Sequence, residues 1–234
     1  MVDAENVYAV LTGDLVKSSR LTAEQSRKAM DRIRQLAQEF NDLFPDASVG
    51  QVDTFRHDSW QWLLADPSLG LRAALFIRAG LRSLSDNKTM FDTRIAIGTG
   101  PIETISKQRI SDSRGLAFTF SGKTLDAMKD MRLAYADGER ADAEKNSLSA
   151  GVVPLLDCIV TSWTVTESRA VYGALKGLTQ EQTAENWPGA GNSEKRPTRQ
   201  AVQKALQRAH WQVVEVVLEW VENRKKATCR GCIR

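Results

Sequence analysis

Strand-type runs end early in this chain and helix-type runs continue to its end, and that order is the strongest constraint on what it can fold into. Val7-Tyr8-Ala9-Val10-Leu11 is a short apolar run stopping at Gly13-Asp14, the pattern of a buried strand entering a loop. Thr22-Ala-Glu-Gln25 is a capping box, after which Met30, Ile33, Leu36, Ala37, Phe40 and Phe44 recur at helical spacing up to Pro45. Residues 49–65 predict a hairpin: Val49, Val52 and Phe55 lead to a polar tip at His57-Asp58-Ser59, and Trp60-Gln-Trp62-Leu-Leu64 returns. A helix from about Pro67 to Leu84, an alternating strand over Thr93–Gly98 and a helix from about Leu116 to Met131 follow. The order β-α-β-β-α-β, then α, is that of a ferredoxin-like or palm domain, an antiparallel sheet with helices on one face.

Beyond a polar stretch at 137–147, expected as a surface loop, the periodicity is helical throughout, with Val152–Val160 and Thr164–Leu175 reading as helices. The expected fold is thus α/β of the α+β kind: a palm domain over 1–146 and an all-α domain over 147–234. With 42% hydrophobic and 26% charged residues, the composition excludes collagen-like, mucin-like and disordered chains. No apolar run is long enough to predict a membrane span. The acidic start Met1-Val2-Asp3-Ala4-Glu5 does not read as a signal peptide, and three cysteines are too few for a secreted scaffold, so a cytoplasmic protein is expected.

The net charge of +3 is unevenly spread. Residues 158–234 carry 12 Lys/Arg against 7 Asp/Glu, whereas residues 1–157 carry 20 against 22. A basic segment behind a mildly acidic body points to a polyanion met by the C-terminal part alone.

That part holds a helix-turn-helix pattern. Leu178–Trp187 reads as a short amphipathic helix that Thr179 caps, with Gln182 completing the box. A Gly/Pro-containing stretch from Pro188 to Pro197, longer than the usual turn, leads to a second helix over Thr198–Trp211. Ala201, Val202, Ala205, Leu206 and Ala209 form its expected buried stripe, leaving Arg199, Gln200, Gln203, Lys204, Gln207 and Arg208 on the remaining arc. Arg and Lys suit guanine and phosphate, and Gln can pair with adenine. Thr198, at the N-cap, would bring the first-turn N–H groups to the DNA backbone. Thr198, Arg199, Gln200, Gln203, Lys204 and Arg208 are the expected DNA contacts, although a solvated bundle face has the same composition. His210, Trp211 and the apolar positions from Val213 to Val221 predict one more helix. Cys229-Arg-Gly-Cys232 has metal-ligand spacing without the second pair of ligands a zinc site requires.

The first strand yields a second constellation. Asp14 follows it, Asp58 sits at the hairpin tip, and a palm sheet makes those places adjacent. Two carboxylates there can hold one or two Mg²⁺ ions whose coordination phosphates complete, although each Asp also suits a turn. The loop Gly13–Arg20 brings backbone donors, with Gly13, Leu15, Lys17, Ser18, Ser19 and Arg20 within reach of a nucleotide.

Tyr8-Ala-Val-Leu-Thr-Gly-Asp-Leu-Val-Lys-Ser-Ser-Arg20, Asp58-Ser-Trp-Gln61, Arg94-Ile-Ala-Ile-Gly98 and Gly115…Ser121-Gly122 resemble the SatD family of bacterial proteins. The first domain of that family is similar to class III nucleotide cyclases. Trp163-Thr164, Gln180…Ala184 and Arg199-Gln-Ala-Val202 resemble its helix-turn-helix, which is similar to region 4 of sigma factors. The resemblance implies a cyclase-type palm in which Asp14 and Asp58 bind Mg²⁺ and a nucleotide, and it implies a homodimer. The chain departs from the cyclase pattern at His57, where a glycine usually precedes the hairpin Asp to permit the turn. The cyclase Asn and Arg that orient the ribose and stabilise the transition state have no matching motif, Lys129 and Arg132 lying only in the general region.

Three readings follow. The first is a DNA-binding transcriptional regulator whose cyclase-like domain binds a nucleotide or nucleotide second messenger with Mg²⁺. The second is an active cyclase acting on ATP or GTP, and the third is a non-catalytic dimerisation module.

Overall fold

A computed structural model describes residues 7–86, 88–106, 108–138, 148–187 and 196–229, with side chains described as far as Asn223. Most of the polar stretch at 137–147, most of the Pro188–Pro197 turn and the side chains of the Cys229–Cys232 pair lie outside these residues. Six strands and eight helices are described: β1 (Val7–Leu15), α1 (Ala23–Leu43), β2 (Asp53–Phe55), β3 (Ser59–Leu64), α2 (Gly70–Arg82), β4 (Thr93–Thr104), β5 (Arg114–Gly115), α3 (Leu116–Ala127), β6 (Leu133–Asp137), α4 (Val153–Ser162), α5 (Val165–Leu175), α6 (Gln180–Glu185), α7 (Arg199–Arg208) and α8 (Trp211–Cys229).

The sheet runs β2-β3-β1-β4, with β5 and β6 sharing the outer edge of β4. β1 is antiparallel to both β3 and β4, with Leu11 opposite Trp62 on one side and Ile97 on the other. This is the expected β-α-β-β-α-β order. Two features depart from the expectation. β6 adds a strand parallel to β4, Ile97 opposite Tyr135, and so the sheet is mixed. Helices also cover both faces rather than one. Strand alternation turns Ala9, Leu11, Ile95 and Ile97 toward α1 and α2, whereas Val10 packs with Ile102 and Ala117, and Ala96 with Leu125 and Met128. α3 therefore lies on the opposite face. Gly98 permits its close approach: a Cβ there would stand 2.4 Å from both the Ala117 carbonyl oxygen and the Ser121 nitrogen.

α2 is buried nearly all round, because the helical half packs on it from outside. The core around Phe40, Trp62 and Phe76 continues without interruption through Val153, Leu156, Val160, Trp163, Tyr172, Trp211 and Leu218. Apolar packing thus joins the two expected domains across residues 139–147. Two arginines in α2 share this buried position and are paired. Arg78 donates to Asp92 and to Asp157 on α4, each at 3.1 Å, while Arg82 donates to Asp92 at 3.1 Å and to the Trp163 carbonyl. Arg132 adds a third guanidinium to Asp92 at 2.7 Å. Burial pushes the Asp92 carboxyl up, but the three arginines outweigh it and hold the group below the usual carboxylate range. No described helix is long and apolar enough to cross a membrane.

Candidate nucleic-acid interface and arginine-lined cavity

α5, α6 and α7 form a three-helix unit around Ala170, Ala184, Trp187, Val202 and Ala205. Capping boxes at Thr164 and Thr179 start the first two helices, and Thr198 Oγ1 accepts the Ala201 N–H at 3.2 Å to start α7. Val202, Ala205 and Ala209 point inward at helical spacing, with Leu206 half-buried. Ala201 is exposed, contrary to the expected stripe, because it lies about 100° round the helix from Val202.

Arg199, Gln200, Gln203, Lys204, Gln207 and Arg208 are all exposed. Two of the cations are partnered. Arg208 donates to Glu167 at 3.1 Å, and Arg199 lies 3.9 Å from Glu181 with both side chains mostly in solvent. Arg199, Gln203 and Gln207 also line one wall of a groove of about 930 Å³, with Gln212 and Glu215 of α8 opposite. His210, in the left-handed region at φ 54°, makes the corner between α7 and α8. The Trp163 indole N–H donates to the Ala209 carbonyl at 2.9 Å and fixes the end of α7.

At the other candidate site, the β1–α1 loop and the hairpin tip do meet. Asp14 faces Ser59 across the ladder, and Leu15 N–H donates to the Asp58 carbonyl at 2.9 Å. Lys17 (φ 54°) and Arg56 (φ 57°) are both left-handed, conformations that cost a non-glycine residue on the order of 1 kcal/mol or more. The hairpin's permissive position is thus Arg56, which relieves His57 of the demand expected of it.

The two carboxylates belong to different hydrogen-bond groups. Asp58 Oδ2 accepts from the Ser18 hydroxyl at 2.7 Å, and its Oδ1 from Ser59 at 3.2 Å. Both oxygens of Asp14 are taken by Arg94, whose Nη1 continues to the Met128 carbonyl. That pairing also holds the Arg94 guanidinium above its ordinary pKa, the hydrogen bond to Asp14 being the largest cause. Among the described residues no group of three or more His, Cys, Asp or Glu side chains gathers in metal-ligating reach. Mg²⁺ needs oxygen ligands, whereas Asp14 faces a guanidinium whose charge opposes such an ion, so this donor set does not fit the expected metal.

A cavity of about 820 Å³ opens between the loop, the first turns of α1 and the hairpin tip. Of the expected residues, Ser18, Ser19 and Asp58 line it. Gly13, Asp14, Leu15, Lys17 and Arg20 do not. Gly13 instead sits beneath Trp60, whose ring a Cβ would meet at 2.5 Å, and Leu15 belongs to the core. The cavity's positive charge comes from residues outside the expected set: Arg27 and Arg34 on α1 and Arg56 at the tip. Arg34 spans two elements, donating to Asp31 at 2.6 Å and to Thr54 of β2 at 2.5 Å. Arg27 and Arg34 share a stripe of α1 with Ala23 and Met30, a spacing the helical period makes visible.

No family model matches this chain, and no curated protein matches it.

Proposed function

We propose that the protein is a DNA-binding transcriptional regulator that reads DNA through α7 and takes a nucleotide or nucleotide second messenger in the cavity beside the β1–α1 loop. The observation that carries the DNA reading is the disposition of α7. Its apolar side is spent on α5 and α6, while an unbroken arc of amides and cations faces solvent behind a capped N-terminus. Such an arc supplies phosphate contacts and base-edge donors together. The ligand reading rests on the three arginines and the hydroxyls around the cavity.

Fluorescence anisotropy with duplex DNA at low salt tests the first part. The wild-type chain is expected to bind, and Arg199→Glu with Lys204→Glu to weaken binding strongly. Equal binding by the double variant would sink the assignment to α7, and no binding by the wild type would sink the DNA reading altogether.

A further inference from the structure

We infer that the cavity between the β1–α1 loop and the hairpin tip binds a polyphosphate group without a divalent cation, its charge met by Arg27, Arg34 and Arg56. This deepens the ligand half of the proposed function and rests on it, while the DNA half stands separately. Three guanidinium groups from two elements line one cavity; those of Arg27 and Arg56 offer planar forks of donors suited to phosphate oxygens, while Arg34 adds a cation already engaged by Asp31 and Thr54. Hydroxyls of Ser26 and Thr54 add donors around them.

The single carboxylate among the lining residues, Asp58, already accepts from Ser18 and Ser59. Asp14 is closed off by Arg94. A divalent ion would therefore meet a single carboxylate beside three cations with no lone pair to give. A polyphosphate meets complementary charge in the same place. Arg27 and Arg34 stand seven residues apart on α1, an axial rise of about 10 Å, which suits a chain of phosphates better than a single one.

Isothermal titration calorimetry of the full chain with inorganic tripolyphosphate, in EDTA and again in excess Mg²⁺, tests this. Binding is expected in EDTA and is expected to weaken in Mg²⁺, which lowers the ligand's charge. Orthophosphate should bind more weakly under both conditions. Arg27→Gln and Arg56→Gln should each cost about tenfold or more in affinity, the worth of a charge-assisted hydrogen bond, with thermal unfolding midpoints unchanged. Arg34 is left intact because it ties α1 to β2.

Binding that requires Mg²⁺ would overturn the metal-free site and leave the ligand reading standing. Affinity unchanged in both arginine variants would overturn the assignment of charge. No binding in either solution would overturn site and ligand reading together, and DNA binding by α7, measured separately, would not be touched.

Discussion

Tyr172 on α5 donates its phenolic hydrogen to Glu39 on α1, joining the three-helix unit to the helix that walls the cavity. Arg32 donates to the same phenol oxygen at 3.0 Å and Lys176 to Glu39 at 3.0 Å. Burial pushes the Glu39 carboxyl up, but hydrogen bonds from Tyr172 and Lys176 and the charge of Arg32 outweigh it and hold the group low. A carboxyl depressed by folding stabilises the fold fully above its unfolded pKa of about 4.3, and that stabilisation is lost as pH falls through the folded value. Tyr172→Phe is expected to cost about 1 kcal/mol at neutral pH, a figure discounted for the 29% exposure of Glu39. The gap from wild type should narrow on acidification, and urea unfolding across that range measures it. A gap independent of pH would dissociate the effect from Glu39.

Asp92 carries a heavier load. It accepts from Arg78, Arg82 and Arg132 with its side chain 1% exposed, so Asp92→Asn leaves buried guanidinium charge without its counterion. A loss of about 3–5 kcal/mol is expected, readable as a drop in the urea midpoint. A loss below about 1 kcal/mol would mean that the arginines find other partners or water.

Gly98→Ala should cost about 1–3 kcal/mol, because its new Cβ meets backbone atoms of α3 that no side-chain rotation can move aside. Chemical denaturation checks this, and an unchanged midpoint would show that α3 can lift from β4.

Under the proposed DNA reading, salt dependence separates the cations of α7. Each phosphate contact contributes about −0.9 to the slope of log K against log salt. Lys204→Gln is expected to remove about that much from the slope, and Arg208→Gln less, because Glu167 already offsets Arg208. Anisotropy titrations at several salt concentrations give both values. Equal losses would place Arg208 on a phosphate with Glu167 released.

What could be read beforehand was local. The boxes at Thr22–Gln25 and Thr179–Gln182 depend on residues three apart, and both helices begin where those boxes place them. The hairpin and its meeting with the β1–α1 loop follow from element order. What escaped depends on register and on distant partners. Asp14 finds Arg94 eighty positions away, through a strand pairing that periodicity does not encode. β6 is short, with Leu133 its one buried residue and two alanines among its five positions, too weak an apolar pattern to stand out. Arg27 and Arg34 have the composition of a solvated helix face. Only the hairpin tip beside them, brought there by the fold, turns that face into a cavity wall.

Trp163 gives the architecture a consequence for inheritance. Its carbonyl is held by Arg82 of the sheet-bearing half, and its indole holds the last turn of α7. A chain cut between the halves would bare the apolar surface of α2 on one side and strip Trp163, which anchors α7, of its own support on the other. The C-terminal helices therefore cannot be lent to another protein as a self-sufficient cassette. Whatever lineage carries these helices is expected to transmit the sheet beneath them as well, and a recombinant fragment beginning near residue 147 should be recovered as aggregate rather than as folded protein.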